Sequence, residues 1–178
     1  QKLTLMKTSA DSLKKSADAL NDSSLWEKKK IKKKDEKTGE EIEVEDYDWD
    51  KITKAVKSFV EDYNDVVKEA GESNTKDVLR NASWMTGMTD KNSNMLAKIG
   101  ITIGKGNKLE LDEDALKQAD ISSLKTVFTG YNSFVSKISQ KATGISNAAN
   151  RASATYTNNG TYSKTDSLLT SSKIDEEV

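Results

Sequence analysis

The first twenty residues carry apolar side chains at alternating steps of three and four. This heptad spacing places them on one helix face, with Lys, Ser and Asp residues on the other. The face consists of Leu3, Met6, Ala10, Leu13, Ala17 and Leu20. Asn21 and Asp22 follow as a stop signal. The pattern therefore predicts a first long helix that buries one side.

A second long helix is predicted to begin after Asp48, which is a suitable N-cap residue. Gly71 stands where a helix end often needs a left-handed residue. Between them the same spacing recurs at Trp49, Ile52, Val56, Phe59, Tyr63, Val66 and Ala70. We expect this helix to pair with the first one.

The last long helix is predicted from Asn132 to about Tyr156, with a break at 158–160, the sequence Asn-Asn-Gly. Its apolar face repeats the three-four spacing at Phe134, Ile138, Ala142, Ile145, Ala149, Ala152 and Tyr156. The chain that follows is polar, and only Leu168, Leu169 and Ile174 offer apolar contacts. We expect a weakly ordered tail over 161–178.

Shorter helices are predicted between these long ones. One runs from Thr75 to about Thr89 and should turn Val78, Leu79, Ala82, Met85 and Met88 inward. Asp112 is expected to cap a short helix over 113–119. A further short helix is expected over 121–128, closed by Gly130.

Two stretches predict β-hairpins. In the first, over 25–46, a lysine block at 28–34 surrounds Ile31, and an acidic run over 40–45 follows a turn that contains Gly39. The basic run should lie opposite the acidic run, in a hairpin that protrudes because it has little apolar surface. In the second, apolar residues alternate with other residues on both predicted strands: Ile99, Ile101 and Ile103 on the first, and Leu109 and Leu111 on the second. Residues 104–107 form the predicted turn between them.

These elements predict a mainly α (α+β) fold, an elongated bundle of three long helices with two β-hairpins and short connecting helices. The hydrophobic share of 34% is low, as expected of a narrow bundle core. We expect one domain over 1–178, with the hairpin arm over 25–46 inserted in it.

Composition excludes several kinds of chemistry. The chain has no cysteine and no histidine, so disulfides, thiolate catalysis and the usual zinc sites cannot form. The 28 basic and 29 acidic residues nearly balance, which gives no reason to expect a nucleic-acid partner. No apolar run approaches the ~18 residues that cross a bilayer, and no signal peptide is visible. We expect no cofactor, no metal and no membrane insertion.

Two acidic groups invite a functional interpretation. Asp46, Asp48 and Asp50 alternate and could bind Ca²⁺, but the spacing lacks the EF-hand glycine and distal glutamate, which favours helix capping. The run over 112–114 could supply a catalytic carboxylate pair for glycoside hydrolysis. A helix N-terminus that attracts negative charge is the favoured explanation.

Three other features have ordinary structural explanations. The glycines over 100–106 lack the ending of a phosphate-binding loop, so a hairpin turn is favoured. The lysines over 28–34 could contact phosphate, although a solvated strand is the simpler interpretation. Trp26, Trp49 and Trp84 are expected in the core, with at least one of them a candidate contact anchor.

Four motifs resemble the flagellar filament cap protein family, also called hook-associated protein 2. Residues 59–67 resemble its FVxxYNxLV helix, and 96–102 resemble its LxxIGI motif. Residues 106–116 resemble GxLxLDExxL, and 127–130 resemble the end of VxxLFTG. The resemblance runs over about 48–162 in the family's order. The chain looks like a shortened relative, since only the 25–45 hairpin stands where the family usually has large β-rich domains.

The resemblance implies a non-enzymatic, exported, extracellular protein of the bacterial flagellum. It implies self-assembly into a homo-oligomeric cap, contact with flagellin-like subunits, guidance of flagellin polymerisation and sometimes adhesion. The alternative is a non-flagellar surface or secreted interaction module, or a cytoplasmic one, with the same helical core. The expected core or assembly faces consist of Leu3, Leu13, Leu20, Phe59, Tyr63, Ile99, Ile101, Leu109, Leu111, Phe128, Phe134, Ile138 and Ile145.

Overall fold

The computed structural model describes residues 2–164, and side chains up to residue 155. Four helices form its centre: α1 (Lys2–Leu20), α2 (Trp49–Gly71), α3 (Lys76–Lys91) and α7 (Phe134–Lys164). Helix α1 packs between α2 and α7, and α3 closes the bundle by packing on α7 and α2. The mainly α prediction is confirmed, with α3 as a fourth member of the bundle beside the three long helices.

Each neighbouring pair of these helices is antiparallel. Between α1 and α7, Asp18 contacts Ser139 while Asp11 contacts Ser146, so the two helices run in opposite directions. Between α3 and α7, Asp77 lies beside Arg151, and the Lys141 ammonium lies over the Trp84 ring. The bundle is therefore an up-down-up-down arrangement, in which every helix turns one apolar stripe toward the shared core.

The predicted stripes of the long helices form this core. On α1, the heptad face is fully buried except for the half-buried Leu3, and on α2 only Trp49 of the predicted face is half-buried. On α7, the face is buried from Phe134 to Ala152, while the side chain of Tyr156 lies outside the described part of the chain. The hydrophobic periodicity thus identified the packing direction of each helix.

Helix α3 departs from its predicted inward face. Leu79 is 41% exposed, and Met88 is only half-buried. The buried stripe consists of Val78, Ala82, Met85 and Thr89. Leu79 lies one helical step beyond that stripe, which is narrow because α3 covers only one side of the bundle.

Two predicted helix ends were wrong. Gly71 is the last residue of α2 rather than a left-handed cap, because the chain continues in a right-handed conformation at Glu72. Helix α7 does not break at 158–160 and continues to Lys164. Leu168, Leu169 and Ile174, with most of the predicted tail, lie outside the described residues.

The first hairpin consists of β1 (Lys29–Lys34) and β2 (Glu41–Asp46), paired antiparallel. Lysines do lie opposite acidic residues, since the cross-strand partners include Lys30 with Glu45 and Lys32 with Glu43. The arm begins later than residue 25, because residues 23–26 form a short 3-10 turn. That turn buries two side chains, Leu25 and Trp26.

The second hairpin is shorter than predicted and consists of β3 (Ile101–Ile103) and β4 (Leu109–Leu111). Ile99 is buried but precedes the strand, in the turn after the short helix α4 (Ser93–Ala97). Two further short helices, α5 (Glu113–Gln118) and α6 (Ile121–Phe128), lead the chain back to α7. These connections close the end of the bundle that carries the arm.

Candidate assembly surfaces

The residues expected to form core or assembly faces lie mostly inside the chain. All of them are buried except Leu3 and Leu111, which are half-buried; the buried ones are Leu13, Leu20, Phe59, Tyr63, Ile99, Ile101, Leu109, Phe128, Phe134, Ile138 and Ile145. A side chain that already packs within its own chain has no free surface for a partner. Assembly contacts of the folded chain therefore cannot use the eleven buried side chains, whereas Leu3 and Leu111 keep part of their surface exposed.

An aromatic cluster stabilises the arm end of the bundle. The Trp26 and Phe128 rings stack with centroids 5.6 Å apart and an angle of 9°. Phe59 meets the edges of Phe128 and Phe134 at centroid distances of 6.5 and 6.4 Å. The Trp26 indole N–H donates to the carbonyl of Leu20 at 2.7 Å. The root of the arm is thus fixed to the core through a fully satisfied indole ring.

Two asparagine side chains connect distant segments, because each forms hydrogen bonds to both the N–H and the carbonyl of one residue. The Asn64 amide donates to the Leu109 carbonyl at 2.9 Å, and its oxygen accepts from the Leu109 N–H at 2.7 Å. Asn21 does the same to Gly130, at 3.3 and 2.9 Å. The sequence pattern predicts neither pair. Asn21 is predicted only as a helix stop, and Asn64 carries no signal beyond its place in the YN motif.

A row of carboxylates and hydroxyls lines the contact between α1 and α7. Hydrogen bonds from Lys7 and then Ser146 lower the pKa of Asp11 from its ordinary value. At Asp18, partial burial raises the pKa, but hydrogen bonds from Lys14 and Ser139 outweigh it, so the net shift is downward. Both aspartates therefore favour the ionised state and join the two helices by charge-assisted hydrogen bonds.

Two groups on α2 shift the other way. Burial raises the pKa of Asp62, and the neighbouring charges of Asp65 and Glu61 add to this, against a hydrogen bond from Ser16. Burial also raises the pKa of Tyr63 to about 12, although its hydroxyl donates to Thr89 at 2.8 Å. Burial is thus the largest cause of both shifts.

The predicted carboxylate groups do not converge. Asp46 accepts from the Lys33 ammonium at 2.6 Å, and Asp48 caps α2 by accepting from the Lys51 N–H at 3.1 Å. Asp112 caps α5 by accepting from the Ala115 N–H at 3.1 Å, and residues 112–114 are all exposed. Among the side chains of residues 2–155, no three acidic groups come close enough to hold a metal ion. The capping interpretation of Asp48 and Asp112 is confirmed.

One exposed groove combines aromatic and basic character. It runs between α3 and α7 and is lined by Trp84, Met88, Lys91, Lys137 and Lys141. Trp84 is 53% exposed, and the Lys141 ammonium lies 5.0 Å from its ring centroid. A large exposed ring held beside a cation can act as a contact anchor for a partner.

The β1–β2 arm is a highly charged surface of the described chain. The Lys30, Lys32 and Lys34 side chains are exposed on β1, and exposed glutamates stand opposite them at 41, 43 and 45. Among residues 2–155, the ion pairs within 4.0 Å include Lys33 with Asp46 but none of these six side chains. Their charges are therefore directed to solvent.

The comparison with protein families gives a match over more than half of the chain. The sequence profile described as flagellar hook-associated protein 2 C-terminus matches residues 72–176. No curated protein and no solved structure matches the chain significantly. Among the described helices, none is long and apolar enough to span a bilayer. Because the profile match covers more than half of its length, this chain belongs to the flagellar hook-associated protein 2 family, through that family's C-terminal region.

Proposed function

We propose that this chain is a structural assembly protein of the bacterial flagellum that acts at the filament tip. The profile match over 72–176 carries this proposal, because it spans α3, the second hairpin, the short helices and α7. The family to which the chain belongs consists of structural cap proteins. The proposed role is to cap the extracellular filament and guide the polymerisation of flagellin-like subunits.

The geometry supports a structural rather than a catalytic role. Five aspartates serve as helix caps or pair with lysines and serines, namely Asp11, Asp18, Asp46, Asp48 and Asp112. The exposed features are instead extended contact surfaces, namely the charged arm and the Trp84 groove. Such surfaces suit a protein that binds copies of itself and neighbouring subunits. Adhesion to a host surface is a secondary proposal of the same kind.

Deletion of the gene in its own cells tests the cap function directly. A cap guides subunits into the filament, so its loss should release flagellin into the medium and shorten or abolish filaments. Restoring the wild-type gene should return filaments, with a gold-labelled antibody to this chain bound at their tips. Normal filaments after deletion, or label distributed along the shaft, would contradict the proposal.

A second candidate function is a surface or secreted interaction module unrelated to filament growth. The exposure of Trp84 beside Lys141 favours it, because that groove suits an aromatic contact with an external partner. In that case Trp84→Ala should abolish cell attachment while filament growth and swimming are unchanged. Lys98→Ala, another exposed substitution on a short connection, is the matched control.

A further inference from the structure

The arm exposes two free sheet edges, because a two-stranded hairpin pairs each strand on one side only. Its backbone hydrogen bonding can be followed from the turn, where the Asp35 N–H donates to the Glu40 carbonyl at 2.8 Å. In an antiparallel ladder, hydrogen-bonded and non-hydrogen-bonded pairs alternate. The pairs that hydrogen bond to each other within the hairpin are therefore Asp35 with Glu40, Lys33 with Ile42, Ile31 with Val44, and Lys29 with Asp46.

The residues between these pairs turn their backbone groups outward. On β1 they are Lys30, Lys32 and Lys34, and on β2 they are Glu41, Glu43 and Glu45. Every residue with open backbone groups on one edge is thus basic, and every such residue on the other edge is acidic. All six side chains are exposed, and none of them joins an ion pair among the described residues.

This pattern decides which edges can meet. Lysines on an edge strand normally prevent pairing, and two β1 edges or two β2 edges would place like charges side by side. A β1 edge against the β2 edge of another copy places lysine beside glutamate at each outward position. The backbone of each strand then finds its missing partners, as in strand addition to a sheet.

We propose that the β1 edge of one copy pairs with the β2 edge of the next, so that the arms of neighbouring copies form a continuous sheet. The contact joins two different surfaces, so it is heterologous and generates a ring or an open chain rather than a two-fold dimer. This inference rests on the proposed assembly function, because it supplies the surface through which copies meet.

A charge-swapped arm tests the pairing rule. The swapped variant carries Lys30→Glu, Lys32→Glu and Lys34→Glu together with Glu41→Lys, Glu43→Lys and Glu45→Lys. Charges remain complementary within its hairpin and between its own copies, and composition is unchanged. It should self-associate like wild type in analytical ultracentrifugation. Mixed β1–β2 contacts with wild type place like charges together, whereas mixed β1–β1 and β2–β2 contacts do not. Lys32→Cys in the wild-type arm should therefore not form a disulfide with a thiol at position 43 of the swapped arm.

A half-swapped variant with only the three lysine substitutions has two acidic edges. Its self-association should weaken at least about tenfold, because like charges oppose each other at the contact. Its core should melt like wild type, since the arm contributes little to the bundle. Association of the wild type should also weaken between about 0.1 M and about 1 M salt, where the screening length falls from about 10 Å to about 3 Å.

Cross-linking identifies the edges that meet. The chain has no cysteine, so Lys32→Cys and Glu43→Cys, placed at the centres of the two edges, each introduce a single thiol. Hydrogen-bonded partners lie about 5.5 Å apart between Cα atoms, within the range of a disulfide. An oxidised mixture of the two variants should yield mainly the mixed adduct. Separate variants avoid the disulfide within one hairpin, where these positions face each other.

Three outcomes would overturn the inference. They are a wild-type chain that stays monomeric at about millimolar concentration, a disulfide between position 32 of wild-type arms and position 43 of swapped arms, and a mixture of the two single-thiol variants dominated by like-with-like disulfides. Any of these leaves the filament-tip experiment unaffected, so failure of the edge pairing is distinguishable from failure of the proposed function. If the swapped chain restores filaments after gene deletion as well as wild type does, the result would support charge-complementary edge pairing in cells.

Discussion

Asn64 and Leu109 form a reciprocal pair of hydrogen bonds that fixes the second hairpin to helix α2. The asparagine side chain donates at 2.9 Å and accepts at 2.7 Å, and so replaces the neighbouring strand that β4 lacks. Because Asn64 lies on α2 and Leu109 lies in the hairpin, the pair spans 45 residues of chain. The edge of the hairpin is thus covered by a helix side chain rather than exposed.

Replacement of Asn64 by Ala should lower the free energy of unfolding by about 1–3 kcal/mol, since both backbone groups of Leu109 lose their partner. Asn64→Asp should also destabilise, because a carboxylate can accept from the N–H but repels the carbonyl. Thermal melts measure the loss, and hydrogen exchange at Leu109 should accelerate. Asn94→Ala, at an exposed position on α4, is the control and should leave both unchanged.

The second prediction concerns the loss of stability when a residue of the aromatic cluster is replaced. Phe59 is fully buried and contacts Tyr63, Phe128 and Phe134. Truncation to Ala should cost about 3–5 kcal/mol, and Phe59→Asp should unfold the chain, since the carboxylate has no partner there. Ile138→Asp should do the same on α7. Circular dichroism melts decide the matter, and a wild-type melting curve for either Asp variant would contradict the core assignment.

Neighbouring residues on α3 provide a matched comparison. Val78 is fully buried, whereas Leu79 is 41% exposed. Val78→Asp should therefore destabilise by several kcal/mol, while Leu79→Asp should change the free energy of unfolding by no more than about 0.5 kcal/mol. Urea titrations of both variants measure this difference. Equal destabilisation would show that α3 does not pack through the face that contains Val78, Ala82 and Met85.

Gly100 occupies a position that glycine alone suits. Its φ is +90°, and a Cβ there would lie 2.7 Å from the carbonyl oxygen of Asp112. Gly100→Ala should destabilise by about 1–3 kcal/mol from the backbone conformation, with the contact adding to it. Gly87 is the control, because it lies within α3 with open space around it. Gly87→Ala should stabilise by about 0.5–1 kcal/mol, so the two substitutions should shift the melting temperature in opposite directions.

Local patterns predicted the fold well because the helices bury regular stripes. The spacing on α1, α2 and α7 identified the residues that pack inward, and the facing charges predicted the arm register. The predicted burial of Leu79 was wrong because periodicity defines which face of a helix is apolar. It does not define the width of the buried stripe, which depends on how many helices cover that face. The Asn21–Gly130 pair spans 109 residues, and no local pattern encodes a contact of that range. The cysteine-free, histidine-free composition excluded some chemistry but could not locate a contact surface.

The pH dependence of stability should separate the aspartates at two helix contacts. Asp11 and Asp18 have pKa values below the ordinary 3.8, so each contributes stability above that pH and loses it as pH falls through the folded-state value. Asp62 has a raised pKa, so its ionisation opposes folding as pH rises from 3.8 through the folded-state value. Asp11→Asn or Asp18→Asn should therefore flatten the decrease in melting temperature in acid.

Asp62→Asn should instead raise the melting temperature at neutral pH, and this advantage over wild type should disappear in acid, where Asp62 is protonated. Melting temperatures of the three variants from pH 7 down to about 2 measure both effects. Glu36→Gln, at an exposed position between the two strands of the arm, controls for the loss of one negative charge. A gain at neutral pH from Asp62→Asn that persists unchanged in acid would show that repacking, rather than burial of a charge, causes the stabilisation.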